Sequence, residues 1–262
     1  VGGGGDGGGG EGGGGMHAEH CLHAFLWHDS FFMCIEWLKS LLAGRQRRRL
    51  EPWLLKAAEI LSAEPPEPIT LPCEIMPHLL LSAKLEAGDL TTLRALGVTH
   101  VINAAGTVGR ARAPPTPPSA DGPARRGAIV DYEAAGIKYL EIRGEDEEGY
   151  PMVKNHFAEV LAFVQGVSAA GGRCLVHCVA GINRSGLMAV ALLMVSERLE
   201  VLDAIARAKR ARGRILWNES FQLQLVALAE REGLLGPRPH VSGKLGAPKA
   251  ARKSAAQALA RF

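Results

Sequence analysis

A cysteine and an arginine lie six residues apart, between a strand-like segment and a helix-like segment of the chain. The stretch RCLVHCVAGINRSG covers residues 173–186, and it places Cys178 after an apolar run and Arg184 before a helix-favouring run. The thiolate is the nucleophilic form of cysteine, and the free N–H groups at a helix N-terminus stabilise an anion. Successive N–H groups of the intervening loop can form a nest that lowers the thiol pKa and then holds a phosphate. The spacing therefore predicts a nucleophilic cysteine at a phosphate site.

Some residues around the nucleophile are expected to bind phosphate, and others are expected to stabilise the thiolate or the loop. The predicted phosphate-binding residues are those of the loop, namely Val179, Ala180, Gly181, Ile182, Asn183 and Arg184. The planar guanidinium of Arg184 matches two phosphate oxygens, and Gly181 lets the backbone turn tightly. Ser185 can donate a hydrogen bond to the sulfur and help it leave in a second step. For His177 two interpretations stay open, a support of the loop through backbone hydrogen bonds and a buried histidine at a strand end.

A phosphate ester that is cleaved by cysteine also needs a proton donor for its leaving oxygen. The segment RGEDEEGY at 143–150 follows a predicted strand and is the acidic loop nearest upstream of the site. Its carboxyl groups are those of Glu145, Asp146, Glu147 and Glu148, and the spacing alone does not select one of them. The alternative is a solvated acidic turn without a catalytic role.

The elements that must position these residues alternate between strands and helices. Strand patterns are found at 74–82, 98–105, 137–143 and 173–177, and helix patterns at 87–97, 152–170, 185–199, 201–212 and 218–233. Strands separated by helices predict an α/β fold with a central, mainly parallel sheet that is flanked by helices.

Composition divides the chain into four predicted parts. We expect a disordered glycine-rich stretch at 1–15, accessory helices at 16–64, a catalytic domain at 65–235 and a disordered basic tail at 236–262. The segment 106–128, rich in Pro, Gly and Arg, is predicted to be an exposed insertion within the catalytic domain.

The apolar segment 18–43 has three interpretations. Its charged residues Asp29, Glu36 and Lys39 disfavour a membrane span. A docking or interfacial helix followed by the basic cluster 45–49 is favoured over a span, and a helix that covers part of the core is favoured over both, so membrane association through 18–49 ranks last. Histidines cluster in the same region, but no second ligand pair follows at the spacing of a zinc finger, so no metal site is predicted.

The net charge and the cysteine content indicate which partners and which cellular compartment to expect. The formal net charge is +3, which gives no indication of a nucleic-acid partner. The five cysteines are odd in number and irregularly spaced, which favours free thiols in the cytoplasm or the nucleus. Cys174 lies four residues before Cys178 on one strand, and a small core thiol is favoured there over a disulfide lock.

The segment HCVAGINRSG is similar to the signature of cysteine-based protein phosphatases of the dual-specificity class. Four further segments resemble successive landmarks of that family, and together they extend the resemblance from about residue 69 to residue 235: CEIMPHLLLSA, LGVTHVINAA, YLEIRGEDEEGY and RILWNESFQLQL. The insertion at 106–128 is longer than usual, and LWN stands where a proline more often precedes the asparagine. With no room for a rhodanese-like domain, the chain resembles an atypical, single-domain member.

The resemblance implies a two-step hydrolysis and assigns its roles. Cys178 attacks phosphorus and forms a phosphocysteine intermediate, while Asp146 is the general acid and later the base that activates water. Asn218 matches an asparagine that hydrogen-bonds near the signature loop. No metal or cofactor is expected. A shallow cleft implies dephosphorylation of phosphotyrosine and of phosphoserine or phosphothreonine in signalling phosphoproteins.

Three other functions remain to be weighed against this one. RNA 5′-triphosphatases often carry asparagine before the signature arginine, as Asn183 does, but they commonly lack the acid that Asp146 supplies. A phosphoinositide phosphatase would favour lysines in the loop, which is neutral here. A phosphate-binding pseudophosphatase would be expected to lose Cys178. A protein kinase is a further candidate partner, because RRRLEPWLL at 47–55 resembles a kinase-docking motif, although a helix start with solvated arginines explains it equally well.

Overall fold

A computed structural model of the chain describes residues 44–64, 69–114 and 128–240. The strands are β1 Cys73–Met76, β2 Leu79–Ser82, β3 His100–Asn103, β4 Lys138–Glu141 and β5 Cys174–His177. The helices are α1 at 44–62, α2 Leu90–Ala95, α3 Gly106–Gly109, α4 Met152–Ala169, α5 Arg184–Ser196, α6 Val201–Arg212 and α7 Glu219–Glu232. The predictions for 1–15, 18–43 and the greater part of the basic tail lie outside the described residues.

The strands form one five-stranded sheet in the order β1-β2-β5-β3-β4. β1 pairs with β2 antiparallel, and the other three pairs are parallel. β5 lies in the middle of the sheet and all four of its residues are buried. The prediction of a mainly parallel sheet flanked by helices is therefore confirmed, and the chain leaves the carboxyl end of β5 at Cys178.

The strand predicted at 74–82 is wrong in one respect, because the segment forms two strands. β1 ends at Met76 and β2 begins at Leu79, and Met76 pairs directly with Leu79 across the turn. Pro77 has no backbone N–H and a fixed φ, so it interrupts a strand and suits a turn. The segment is a hairpin at the edge of the sheet, and β2 joins it to β5.

α5 is the central helix of the layer that covers one face of the sheet. Ten of its thirteen residues are buried, from Ser185 to Met194, and it packs against α4, α6, α7 and β5. A helix that is apolar on nearly all sides fits a position surrounded by other elements. The burial of α5 fixes the position of its N-terminus, which is where the signature loop ends.

α1 contributes to the same core through residues that recur at the helical period. Leu50, Trp53, Ala57 and Leu61 are buried in the main hydrophobic cluster, and Lys209 Nζ of α6 donates a 2.8 Å hydrogen bond to the Leu61 carbonyl. Among the described residues, those from Arg49 to residue 240 cluster in one compact unit. The part of α1 from Arg49 onward therefore belongs to the same compact unit as the sheet.

The predicted insertion is folded where the structure describes it. Gly106–Gly109 forms the short helix α3, Ala111 is buried, and Arg112 and Ile129 form an antiparallel bridge. Exposure of the whole of 106–128 is therefore wrong for Gly106, Gly109 and Ala111, which are buried. Thr107, Val108 and Arg110 are exposed, and residues 115–127 lie outside the described part. No helix in the described ranges is long and apolar enough to cross a membrane.

Candidate active site

The loop from Val179 to Asn183 turns its carbonyl groups outward. Four carbonyls accept hydrogen bonds from other parts of the chain: Val179 from Lys84 N at 3.1 Å, Ala180 from Arg212 Nη2 at 3.0 Å, Gly181 from Arg212 Nε at 3.0 Å and Ile182 from Leu216 N at 3.0 Å. Since each peptide group is nearly planar, an outward carbonyl directs the N–H groups beside it inward. The loop has the arrangement of the anion-binding nest that the sequence predicts.

Gly181 is required by the backbone of this loop. Its φ is +66°, and a Cβ at this position would lie 2.5 Å from the Ser82 carbonyl oxygen. A side chain is therefore excluded both by the left-handed backbone and by the neighbouring strand.

The Cys178 sulfur is buried at the centre of the nest. Ser185 Oγ donates to Sγ at 3.2 Å and the Gly181 N–H donates at 3.3 Å. Burial raises the pKa of the thiol, but hydrogen bonds from Ser185 and from the Ile182 N–H, together with the charge of Arg184, lower it further than burial raises it. The pKa of Cys178 therefore lies below its ordinary value, which favours the thiolate.

Arg184 begins α5 and faces the acidic loop. Its side chain is 11% exposed, its Nε lies 3.8 Å from Asp146 Oδ2, and its Nη1 donates to the Gly144 carbonyl at 3.5 Å. Nε is buried and has no hydrogen-bond partner among the residues that the structure describes. A buried guanidinium N–H without a partner fits a site that binds an oxyanion.

The carboxylate of Asp146, in the acidic loop, reaches the signature loop. Asn183 Nδ2 lies 3.1 Å from Oδ1 and 3.2 Å from Oδ2, and Asn218 Nδ2 donates to Oδ1 at 3.3 Å. Asn183 Oδ1 in turn accepts from the N–H groups of Trp217 and Asn218, at 2.8 and 3.2 Å. The Asn183 side chain therefore joins the acidic loop to the segment before α7, and its predicted contribution to phosphate binding rests on its backbone.

His177 and Asn218 occupy supporting positions around the loop. His177 is fully buried, its Nδ1 lies 3.2 Å from the Cys178 carbonyl, and burial lowers its pKa to about 4. Asn218 is the N-cap of α7, because Oδ1 accepts from the N–H groups of Ser220 and Phe221. One asparagine thus starts α7 and contacts the acidic loop.

The family model described as "Dual specificity phosphatase, catalytic domain" matches residues 79–231, more than half of the chain. The chain belongs to the dual specificity phosphatase family. Dual specificity protein phosphatase 26 of Bos taurus is 36% identical over 159 residues, a match that covers 60% of this chain and 67% of that protein. Dual specificity protein phosphatase 2 of Homo sapiens is 34% identical over 155 residues, covering 59% of this chain and 42% of that protein.

A solved structure shares the fold of this phosphatase. The crystal structure of a mouse putative dual specificity phosphatase complexed with zinc tungstate gives a TM-score of 0.50 at 22% identity, and the match covers 67% of this chain and 99% of that one. The chain is a cysteine-based protein phosphatase, and the RNA triphosphatase and pseudophosphatase alternatives are not favoured.

An open cavity lies beside the acidic loop 143–150. A cavity of about 540 Å³ is lined by Asp146, Glu148, Asn183, Trp217, Asn218 and Glu219. Trp217 is 53% exposed, and the Arg214 guanidinium lies 3.8 Å from the centroid of its ring. Within the described ranges, no group of three His, Cys, Asp or Glu side chains is arranged to hold a metal ion.

Arg212 is the residue of this site that sequence reasoning missed. It is 31 residues from Gly181 in the chain, and no local pattern connects an arginine at the end of α6 with the signature loop. The two carbonyl contacts of Arg212 appear only when α6 is packed against α5.

Cys174 is a buried free thiol whose pKa is raised by burial, so its interpretation as a core residue remains a prediction that the geometry favours.

Proposed function

We propose that Cys178, Arg184 and Asp146 carry out phosphoprotein hydrolysis in this chain, with Ser185 supporting the sulfur. Cys178 thiolate attacks phosphorus and forms a P–S bond while the P–O bond to the substrate breaks. Asp146 gives its proton to the departing oxygen. The loop N–H groups of residues 179–184 and the Arg184 guanidinium stabilise the charge on the phosphoryl oxygens.

Water completes the reaction in the second step. Asp146, now ionised, takes a proton from water, and the resulting O–P bond forms as the P–S bond breaks. The leaving sulfur is stabilised by the hydroxyl of Ser185, which lies 3.2 Å away. Inorganic phosphate leaves, and both Cys178 and Asp146 return to their starting states.

The observation that supports this proposal most directly is that several hydrogen-bond donors converge on the Cys178 sulfur. The Ser185 hydroxyl, in the first turn of α5, and the Gly181 N–H of the loop both donate to it, and Arg184 Nε lies 3.8 Å from Asp146 Oδ2. A structural core thiol would not collect these donors, and the pKa of Cys174, the first residue of β5, is raised by burial.

Turnover of para-nitrophenyl phosphate by wild type, Cys178→Ser and Cys174→Ala tests the assignment of the nucleophile. We expect Cys178→Ser to lose at least about 10³-fold in kcat, because a serine hydroxyl remains protonated at neutral pH. Cys174→Ala is the matched control and should retain kcat within about threefold. Equal activity of Cys178→Ser and wild type would overturn the proposal.

The substrate class is tested by trapping. An Asp146→Ala variant keeps the phosphate site and slows turnover, so it should retain phosphotyrosine and phosphoserine or phosphothreonine peptides. Retention of triphosphorylated RNA in preference to these peptides would instead support the triphosphatase alternative. The segment 47–55 is a poor candidate for kinase docking, because Leu50 and Trp53, two of its apolar residues, are buried in the core.

The remaining assignments concern domain limits and location. We propose a catalytic domain at 65–235 that uses residues 49–62 of α1 as part of its core, since Leu50 and Leu61 are buried there. The described cysteines Cys73, Cys174 and Cys178 are free thiols, which supports a reducing compartment, the cytoplasm or the nucleus. Fractionation of cells that express the full chain tests this location.

A further inference from the structure

The two ends of the general-acid loop are held together by one tyrosine. Tyr150 Oη lies 2.9 Å from the Arg143 carbonyl oxygen, and these two residues bracket the segment that carries Asp146. The same hydroxyl lies 2.7 Å from His156 Nε2 on α4, and the two rings are stacked with an interplanar angle of 19°. The loop is therefore closed at its base by a contact that involves no residue of the signature loop.

The donors in this contact follow from the number of protons present. The Tyr150 hydroxyl has one proton, and the Arg143 carbonyl can only accept, so the hydroxyl donates to that carbonyl. His156 then donates from Nε2–H to the Tyr150 oxygen. Burial lowers the pKa of His156, with Glu159 acting in the opposite direction, so the neutral ring with a single N–H is favoured. The contacts form a chain of two hydrogen bonds that ends on the acid loop.

A second anchor joins the same tyrosine to α7. Gln224 Nε2 donates to the Tyr150 carbonyl at 2.8 Å, and Gln224 Oε1 accepts from the Val153 N–H at 3.0 Å. Val153 lies in the first turn of α4, where backbone N–H groups have no partner within the helix. Asn218, the N-cap of α7, contacts Asp146, so one helix and its cap hold the loop near its acid and at its base.

We propose that Tyr150, together with His156 and Gln224, is a positioning element that holds the Asp146 carboxyl where it can protonate the leaving oxygen. The inference rests on the proposed role of Asp146 as general acid. Tyr150 does not touch the substrate in this proposal; it restricts the loop so that the proton is delivered in the correct geometry. A displacement of about 1 Å at a reacting group can cost about 10²-fold in rate.

A series of aryl phosphates with different leaving groups tests the proposal. Phenyl phosphate releases a basic phenolate that needs the proton, whereas para-nitrophenyl phosphate releases a weakly basic one that needs it less. We expect Tyr150→Phe to lower kcat by roughly three- to tenfold with phenyl phosphate and by less than about twofold with para-nitrophenyl phosphate. Tyr132→Phe is the matched control, because its hydroxyl donates to the Ala87 carbonyl and has no contact with the acid loop.

Two further variants keep the test decisive. Gln224→Glu retains the acceptor for the Val153 N–H but loses the donor to the Tyr150 carbonyl, so it should give the same selective loss if Tyr150→Phe does not fold. Asp146→Asn should give a larger selective loss, of about 10²-fold or more with phenyl phosphate. If Asp146→Asn loses activity selectively with phenyl phosphate, but Tyr150→Phe and Gln224→Glu lose activity equally with both substrates or not at all, the positioning role of Tyr150 is wrong and the proposed role of Asp146 stands. A uniform loss in Asp146→Asn would overturn the proposed acid, and the inference with it.

Discussion

Removal of the Arg212 side chain should weaken phosphate binding although Arg212 lies behind the signature loop. Its guanidinium donates to the carbonyls of Ala180 and Gly181, at 3.0 Å each. These contacts hold the carbonyls outward and leave the adjacent N–H groups directed at the phosphate. Without them, each peptide group is free to rotate and point an oxygen at the anion.

The size of the effect follows from the two hydrogen bonds. A hydrogen bond from a charged donor contributes about 1.5–3 kcal/mol when it is protected from solvent. One of the two Arg212 contacts is exposed and the other is partly buried, so we take about 1 kcal/mol for each. A total of about 2 kcal/mol corresponds to about 30-fold weaker binding of phosphate.

The assay is competitive inhibition of para-nitrophenyl phosphate turnover by inorganic phosphate. Arg212→Met should raise the inhibition constant by about 30-fold, and Arg212→Lys should recover little of it, because an ammonium group cannot donate to both carbonyls in the geometry of a guanidinium. Arg210→Met removes an exposed arginine from the same helix and should change the constant by less than about twofold. Full recovery in Arg212→Lys would show that charge alone acts and would refute the argument from geometry.

Three further predictions concern the same loop. Ser185→Ala should raise the pKa of Cys178, because it removes the hydroxyl that donates to the sulfur, and the rate of alkylation by iodoacetamide should shift to higher pH. An unchanged profile would exclude the hydroxyl as a support of the thiolate. Gly181→Ala should abolish turnover and lower the melting temperature, because a methyl group would meet the Ser82 carbonyl at 2.5 Å; retention of wild-type kcat would contradict this. The pKa of His177 is about 4 in the folded chain, so the unfolded chain binds more protons between a pH of about 6.5 and a pH of about 4. The free energy of unfolding should therefore decrease by up to about 3 kcal/mol as the pH falls through that window. Chemical denaturation should show a smaller decrease in His177→Gln.

The central part of the site could be predicted because its pieces are close together in the sequence. Cys178, the loop and Arg184 are joined by one strand-to-helix turn, so their chemistry and their spacing can be recognised together. The residue proposed as the acid could not be identified in this way, since four carboxyl groups occupy the loop 143–150 and their spacing does not distinguish them. Resemblance to the family selected Asp146, and the structure places its carboxylate against Asn183 and Arg184.

The parts that could not be predicted depend on contacts between distant segments. Arg212 reaches the loop only through the packing of α6 on α5, and Asn183 acts through a side chain whose partners lie on two other loops. The hairpin at 73–82 had a local signal in Pro77, but the apolar residues on both sides of it resemble one continuous buried strand. Periodicity alone does not separate these two arrangements.

The position of Lys209 has a practical consequence for anyone who expresses this domain. The family match spans 79–231. A recombinant fragment cut to those limits would lack Leu61, whose carbonyl accepts from the Lys209 ammonium. It would also lack Leu50 and Trp53, so the core residues that they cover would be exposed to water. One turn further along α6, Arg212 donates to two carbonyls of the signature loop. Shortened clones should therefore begin no later than residue 49 to preserve solubility and turnover together.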